Sequence, residues 1–454
     1  MKIVVIDDDP TGSQTVYDCP LLLEWDLETL LKGLRHHSPF LFILGNTRSL
    51  AAEDAALRIV DICKSFREAV EILGIPINDF LFISRGDSTL RGHGFLEPNI
   101  INTELGPFNA TFHVPAFLEG GRCTVRGVHF LNGIPVHKTS FARDKIFGYS
   151  TSDLSDWIEE KSSGLISSED VHQITIELLE SASESTNGID TLIHDISELS
   201  LNQTVVVDAE KPIHLEIFAK VIRNLCTEKR FLFRSAASLL NYLGSLPSQQ
   251  FNSKIFSRLR VADDYGRFKP GLIVVGSHVE LADAQLEVLL KEESCIGIEI
   301  PVTKIAGILD GSISNILIKD LQEEWYEKIL KIIDDRKTPV IFTSRGELEF
   351  NSTPSRLEFG LKLAKLMADL VRCLTPSIGY VISKGGITTH YILSEGLQLH
   401  YVELIGQILP GLSVVTPASD SKNNLPIITF PGNLGDQNTL LLSWRLMEGI
   451  DNIG

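Results

Sequence analysis

The feature that most constrains the fold of this chain is a repeated pattern. A short apolar run, rich in β-branched or aromatic residues, is cut off by a polar loop carrying Gly or Pro. Ile3–Ile6, Phe40–Leu44, Phe80–Ile83 and Thr111–Val114 are such runs. The loops after them are Asp7-Asp8-Asp9-Pro10-Thr11-Gly12, Gly45-Asn46-Thr47-Arg48, Ser84-Arg85-Gly86-Asp87 and a segment opening with Pro115. Between the second and third runs, Ser49 to Leu73 has apolar residues near helical spacing, with Ser49 four residues before Glu53 as a start signal. Strands separated by helices pair in parallel, which gathers the loops at their carboxyl ends along one edge.

Further runs at Gln173–Ile176, Thr204–Asp208 and Phe231–Phe233 continue the pattern, the last expected to close the first sheet. The stretch 120–145 is irregular, with a hairpin signal at Asn132-Gly133, and 150–200 reads as acidic surface helices. Residues 240–270 lose the rhythm, and Leu272–Val275 restarts it. The later strands are expected at Gly297–Val302, Pro339–Phe342, Tyr380–Ile382 and Pro426–Thr429, with helices at Glu280–Leu290 and Thr388–Leu397. The length of 454 residues exceeds the roughly 250–300 that one core serves. The expected architecture is α/β with two domains, each a mostly parallel sheet flanked by helices, and the active site in the cleft between them. The boundaries read as 1–240, a connecting segment 241–270, and 271–454.

The formal net charge of −18 argues against nonspecific nucleic-acid binding, which runs on surplus Lys and Arg. It leaves room for an anionic small substrate met by local arginines. The six cysteines are scattered without a C-x-x-C spacing, which fits free thiols in a reducing compartment. The first strand begins at once, leaving no space for a signal peptide, and no apolar run reaches the ~18 residues of a membrane span. The expectation is a cytoplasmic protein with neither a membrane nor a nucleic-acid partner; a homo-oligomer is compatible with the sequence.

Chemistry concentrates in the loops. Three adjacent carboxylates, Asp7, Asp8 and Asp9, repel one another unless a cation or substrate hydroxyls answer them. Arg85-Gly-Asp-Ser-Thr-Leu-Arg-Gly92 packs two guanidinium groups, a carboxylate and two hydroxyls into eight residues. Arginine forks suit carboxylates, and Asp and hydroxyls suit sugar hydroxyls, so with Asp7–Asp9 and Arg48 on the same edge this is a candidate polyol-acid pocket. In the second half Gly276-Ser277-His278 lies between a strand and a helix, the arrangement that holds phosphate through backbone N–H groups. Ser383-Lys384-Gly385-Gly386-Ile387-Thr388 repeats it, with Lys384 placed to meet phosphate charge, and Pro431-Gly432-Asn433-Leu434-Gly435-Asp436 adds a third glycine loop. No P-loop motif and no protein-kinase signature occurs. The histidines lack metal-ligand spacing, so no metal-ligating residues are assigned; His93, His113 and His137 fall near the proposed pocket with open roles.

Taken together these residues resemble the four-carbon acid sugar kinase family. Asp8-Asp9-Pro10-Thr11-Gly12 matches that family's Asp-Asp-x-Thr-Gly motif, and Arg85 to Gly92 matches its Lys-x-Asp-Ser-Thr-Leu-Arg-Gly motif with Arg for Lys. Pro115 to Arg122, Asn132-Gly133, Phe141 to Asp144 and the three glycine loops correspond in the same order. The resemblance implies an N-terminal domain for the sugar acid and a C-terminal domain for ATP, the acceptors being acids such as threonate, erythronate or an oxo-tetronate. By position, Asp8, Asp9, Arg48, Asp87, Ser88, Thr89 and Arg91 are substrate-side, and Ser277, Gly385, Gly386, Thr388 and Gly432 are nucleotide-side. Two departures stand out: Asp7 and Pro10, with Ser-Gln-Thr after Gly12, and a Gly-Ser-His turn where many members continue Ser-Cys-Ser.

The expected reaction is in-line phosphoryl transfer from ATP with Mg²⁺ to a hydroxyl of a short sugar acid. Arg48, Arg85 or Arg91 would grip the carboxylate, and Asp9 or Asp87 would take the hydroxyl proton. Two alternatives remain open at this point. Asp7 and Asp9 also satisfy the D-x-D-x-T pattern of haloacid-dehalogenase-like phosphatases, with Asp7 as nucleophile and Mg²⁺ as cofactor. A non-catalytic sugar-acid sensor would bind without turnover.

Overall fold

A computed structural model of the chain describes residues 1–13, 15–246, 253–309, 316–345, 353–418 and 424–450. Gln14, and residues 247–252 of the expected connecting segment, lie outside the described residues. The chain divides into two compact units, Met1–Ser248 and Gln249–Gly454, taken here in turn.

The first unit opens with β1 (Lys2–Asp7), β2 (Cys19–Leu22), α1 (Leu27–Arg35), β3 (Phe40–Leu44), α2 (Ala52–Leu73), β4 (Phe80–Arg85), α3 (Leu96–Leu105) and β5 (Ala110–Val114). An antiparallel insert follows, β6 (Arg122–Val125), β7 (Val128–Leu131) and β8 (Ile134–Pro135). Asn132 and Gly133, both at positive φ, make the turn that the Asn-Gly signal predicts. Then come α4 (Leu154–Lys161), β9 (His172–Ile174), α5 (Ile176–Glu184), α6 (Thr186–Glu198), β10 (Gln203–Val207), α7 (Pro212–Leu225), β11 (Phe231–Ser235) and α8 (Ser238–Leu243).

The main strands of this unit run β2-β3-β1-β4-β11-β5-β10-β9, and every neighbouring pair is parallel. Helices cover both faces, so β3 (FLFIL) and β4 (FLFISR) are buried throughout, which is why they read as unbroken apolar runs. On one side α2 packs Ile59, Ile62, Cys63, Phe66 and Val70 inward, with Phe66 edge-on to Phe80 and Phe82. A second aromatic nest joins Phe112, Phe218, Phe231 and Phe233. Two expectations need correction. Phe231–Phe233 does not close the sheet; β11 inserts between β4 and β5. And α2 starts at Ala52 without a side-chain cap, because its N-cap residue is Ala51; Ser49 lies in the preceding 3₁₀ turn and donates its hydroxyl to the Asn46 carbonyl, 2.7 Å away.

The second unit contains α9 (Ser253–Ser257), β12 (Gly271–Val275), α10 (Glu280–Leu289), β13 (Cys295–Ile300), α11 (Val302–Leu309), α12 (Ile316–Asp334), β14 (Thr338–Thr343) and α13 (Thr353–Leu374). It ends with β15 (Tyr380–Lys384), α14 (Gly386–Tyr391), β16 (Tyr401–Leu409), β17 (Leu412–Pro417), β18 (Ile427–Phe430) and α15 (Thr439–Glu448). The order is β13-β14-β12-β15-β18-β17-β16. Strands β13, β14, β12, β15 and β18 pair in parallel, and β17 and β16 add an antiparallel hairpin that the sequence pattern did not announce. No helix among the described residues is long and apolar enough to cross a membrane.

Both units share one topological device. In the first, the chain leaves β1 toward β2 and β3 on one side and then reappears at β4 on the other. In the second, it leaves β12 toward β13 and β14 and reappears at β15. Where adjacent parallel strands send their connections in opposite directions, the loops diverge and leave a crevice, the usual ligand position in open α/β sheets. The Asp7–Gly12 and Arg85–Gly92 loops flank the first such point, and the Ser277 and Gly385 turns flank the second.

Candidate active site

In the N-terminal unit, Asp7 at the end of β1 is level with Leu44 of β3 and Arg85 of β4. Backbone hydrogen bonds stitch the loops together. Gly45 N and Asn46 N donate to the Asp7 carbonyl at 2.9 and 3.1 Å, Arg48 N to the Asp8 carbonyl at 3.3 Å, and Asp8 N to the Arg85 carbonyl at 3.3 Å. The short 3₁₀ turn at Thr47–Ser49 then carries Arg48 toward the acids.

All three aspartates are buried, and each is answered by arginine. Arg48 pairs with Asp9 and reaches Asp87 at 3.5 Å. Arg85 Nη1 lies 3.5 Å from both Asp7 Oδ1 and Asp8 Oδ1. Arg91 Nε donates to Asp87 Oδ2 at 2.7 Å, and the Thr89 hydroxyl binds the same oxygen. The side-chain exposures sort these cations: Arg48 at 19% and Arg91 at 21% are reachable, whereas Arg85 at 4% is sealed among the acids.

Two charged residues of this network escaped the sequence reading. Arg234, at the end of β11, donates from Nη1 to Ser84 Oγ at 2.7 Å and Glu97 Oε2 at 2.5 Å, and its Nη2 is 3.7 Å from Asp8 Oδ2. Glu97, on α3, also accepts from Thr47 Oγ1 at 2.6 Å and Ser84 Oγ at 2.9 Å. A Cβ on Gly86 would overlap the Arg234 guanidinium, so glycine there is a requirement of the close approach. Arg234 obeys the same rule as Arg85, a charged residue where an apolar run ends, and could have been found by it. Glu97 carried no signal beyond its place in a first helical turn.

The electrostatics follow burial and pairing. Burial pushes the Asp7 carboxyl up to about 7 despite Arg85 nearby, and raises Asp8 against the pull of Arg48 and Arg234. For Asp9 burial is outweighed by Arg48 and the Thr11 hydrogen bonds, and its carboxyl falls below the usual range. Asp87 goes the same way, because Arg91 and Arg48 both overcome its burial. Asp9 and Asp87 are therefore firmly ionised. His113 is pushed down to about 3 by burial and by Arg234, and its neutral ring lies 6.4 Å from that of Trp157. His93 and His137 bind the Leu50 carbonyl and the Ser152 hydroxyl.

Beside the loop, Asp87, Arg91, His113, Trp157 and Arg234 line a pocket that opens partly to solvent. Among the described residues no group of three or more His, Cys, Asp and Glu is disposed to hold a metal ion.

In the C-terminal unit the register sets Val275 beside Lys384 and Lys384 beside Phe430, which brings the three glycine loops side by side. Gly276 N donates to the Lys384 carbonyl at 3.0 Å and Gly385 N to the Phe430 carbonyl at 2.9 Å. Ser277 stands at their centre. A Cβ on Gly432 would come within 2.5 Å of Ser277 Oγ, and one on Gly385 within 3.3 Å of Ser277 N. A Cβ on Gly276 would overlap the buried Thr388 hydroxyl. Gly386 opens α14, and Gly435, at φ 84, shapes the third loop, which Gln285 Nε2 braces through the Leu434 carbonyl at 3.1 Å. Lys384 is turned inward: its buried Nζ donates to the carbonyls of Pro431 and Gly432 at 3.1 and 3.3 Å and lies 3.8 Å from the Phe430 ring centre. Burial lowers its pKa to about 7.

The fold and these two loop clusters define a two-domain α/β protein, one domain carrying an acid–arginine site and the other a cradle of glycine loops. A sugar-binding N-terminal domain model matches residues 3–243, and a nucleotide-binding C-terminal domain model matches residues 272–440. The chain belongs to the four-carbon acid sugar kinase family. A D-erythronate kinase of Heliobacterium modesticaldum is 31% identical over 151 residues, a match spanning 32% of this chain and 32% of that protein's length. Among solved structures, a Salmonella typhimurium LT2 protein superposes with a TM-score of 0.66 at 16% identity, covering 98% of this chain and 99% of its own. Haemophilus influenzae protein HI1011 gives a TM-score of 0.58 at 15% identity over 98% and 100%. These two share the fold.

Proposed function

We propose that this protein is an ATP-dependent kinase that phosphorylates a hydroxyl of a short, four-carbon sugar acid such as D-erythronate. The observation that carries the reading is the alternation, on one sheet edge, of two reachable guanidinium groups with two ionised carboxylates: Arg48, Asp9, Asp87 and Arg91. Arginine forks at Arg48 and Arg91 suit the acceptor's carboxylate. Asp9 and Asp87 suit its hydroxyls, with Ser88 and Thr89 completing the loop. Asp8, Arg85 and Arg234 lie deeper and hold this arrangement in place.

On the donor side, Ser277, Gly385, Gly386, Thr388 and the Gly432–Gly435 loop converge, through close approaches that only glycine allows, beside the space at the strand ends, which suits nucleotide phosphates. Lys384 supports that space by tying down the Pro431–Gly432 carbonyls. Mg²⁺ accompanying ATP would neutralise charge on the transferring phosphate. Phosphoryl transfer asks mainly for positioning and charge neutralisation. Asp9 and Asp87, both held ionised, suit orientation of the attacking hydroxyl, and one of the two takes its proton. We place the enzyme in the cytoplasm, where its six free cysteines are chemically at home.

The test is ADP release from ATP across a panel of four-carbon and related sugar acids, with acid-dependent ADP as the expected result. ADP release with none of them, together with phosphate release from phosphosugars without ATP, would overturn the reading in favour of a phosphatase. Binding of an acid without turnover would make the protein a sensor. Asp87→Asn should cost about 100-fold or more in kcat/KM for the acid while leaving the KM for ATP unchanged.

A further inference from the structure

The acceptor loop is not held only by its own charges. Three consecutive residues in it, Ser88, Thr89 and Leu90, are each fixed from behind by groups outside the charge network. His129, on β7 of the small insert, is 2.8 Å from the Ser88 carbonyl through Nε2. A carbonyl only accepts, so Nε2 carries the proton. Nδ1 then accepts from the buried Thr124 hydroxyl at 2.9 Å, which fixes the tautomer. Burial keeps this ring neutral, with its pKa lowered to about 4. The Tyr149 hydroxyl donates to the Thr89 carbonyl at 2.7 Å.

Leu90 has φ 66, a left-handed conformation that a branched side chain adopts at a steric cost. Its side chain is 4% exposed and packs into a separate small core with Val136, Tyr149, Leu154 and Trp157. Strained residues persist only where their surroundings over-determine them. Here those surroundings are the insert and the segment after it. Leu90, Leu154 and Trp157 also line the pocket beside Asp87 and Arg91, so the same small core shapes its wall.

We infer that His129 and Tyr149 are positioning residues for the acceptor: they lock Ser88 to Leu90 in a strained turn that aims Asp87 and Arg91 at the sugar acid. This rests on the sugar-acid reading of that loop. A helix or strand would fix such residues through its own ladder, but a loop has none, so the insert and the segment after it supply the hydrogen bonds instead.

The experiment uses the full-length chain with Tyr149→Phe, His129→Leu and the conservative His129→Gln, which keeps a donor near the Nε2 position. With D-erythronate and ATP, Tyr149→Phe and His129→Leu should each raise the KM for the acid about tenfold, leave the KM for ATP within about twofold, and speed amide exchange across residues 86–92. His129→Gln should recover most of the acid KM. An unchanged acid KM in both damaging variants overturns the inference, as does an equal rise in both KM values, the sign of general destabilisation. If the wild-type protein releases no ADP with any acid, the kinase reading fails separately. The clamp is then decided by exchange alone: faster exchange confined to 86–92 supports it, and unchanged exchange overturns it.

Discussion

Asp7 separates stability from chemistry more sharply than any other residue of the acidic cluster. Its Oδ1 accepts from Asp9 N at 3.2 Å and lies 3.5 Å from Arg85, while Oδ2 is buried with no hydrogen-bond partner among the described residues. The carboxyl rests against the Cα of Gly12, where an added Cβ would overlap it. Its pKa is raised from 3.8 to about 7, chiefly by burial. The native state thus holds a proton that the unfolded chain, titrating near ~3.9, has already released across the interval from about pH 4 to 7. Because the unfolded state binds fewer protons there, stability falls as pH rises through this interval. At about 1.4 kcal/mol per pKa unit the whole effect is about 4 kcal/mol, of which about 2 kcal/mol accrues between pH 5 and 7. Asp7→Asn preserves the shape and cannot ionise, so this contribution to the slope should vanish. The assay is urea unfolding of the full chain at several pH values, read by hydrogen exchange in β1 and β4 so that this domain is followed apart from the other. Relative to wild type, the variant should gain about 2 kcal/mol on going from pH 5 to pH 7, and ATP-dependent turnover should stay within a few-fold. Equal slopes in the two proteins would refute the electrostatic reasoning. Phosphate release from phosphosugars without ATP that is lost in a well-folded Asp7→Asn variant would mark Asp7 as the nucleophile that the phosphatase alternative requires.

Three further outcomes are expected. Gly432→Ala places a methyl within 2.5 Å of Ser277 Oγ and should raise the KM for ATP about tenfold or more with acid affinity unchanged, as measured by steady-state kinetics. Lys384 has a folded pKa near 7 against about 10.4 unfolded, so the unfolded state binds more protons in between and stability should rise with pH from about 7 to 10; Lys384→Met should flatten that rise in thermal melts of the second domain. Arg234→Leu leaves Glu97 and Asp8 buried without this cation and should cost about 3–5 kcal/mol in urea unfolding, a large share of a typical 5–15 kcal/mol margin.

Much of the parallel core was legible because its strands are covered on both faces and so appear as unbroken apolar runs. Phe40–Leu44 is β3 to the residue. Segments whose pairing breaks the simple period were not legible. β2 contains Pro20 and joins β3 through Leu21 and Leu22. β16 begins with alternating burial but shifts register at Leu404/Gly406 and again at Gln407/Leu409, which erases the two-residue rhythm. The position of β11 between β4 and β5 is a long-range property that a five-residue run cannot encode. In the site, the motif loops were readable, but the direction of Lys384 was not. As the last residue of β15 it could face outward or inward, and the Phe430 ring and two carbonyls draw it in. His129 and Tyr149 act through backbone carbonyls, which any sequence supplies, so nothing in the residue pattern could link them to the loop.

The contrast between the two domains follows from what each loop cluster can use to hold itself. The glycine cradle is fixed mostly by backbone register: Val275, Lys384 and Phe430 stand in line, and the turns after them inherit their spacing from the sheet. The acid–arginine site draws on side chains, since Asp7, Asp8, Asp9, Asp87 and Glu97 would repel one another without Arg48, Arg85, Arg91 and Arg234 threaded among them. A site held by backbone tolerates change in its surroundings but fixes one ligand geometry. A site held by a charge network is altered by any single exchange, because each arginine answers more than one acid. On the kinase reading, variation in acceptor choice should therefore map to Arg48, the 85–92 loop and its His129–Tyr149 support, while the three glycine loops keep the nucleotide the same.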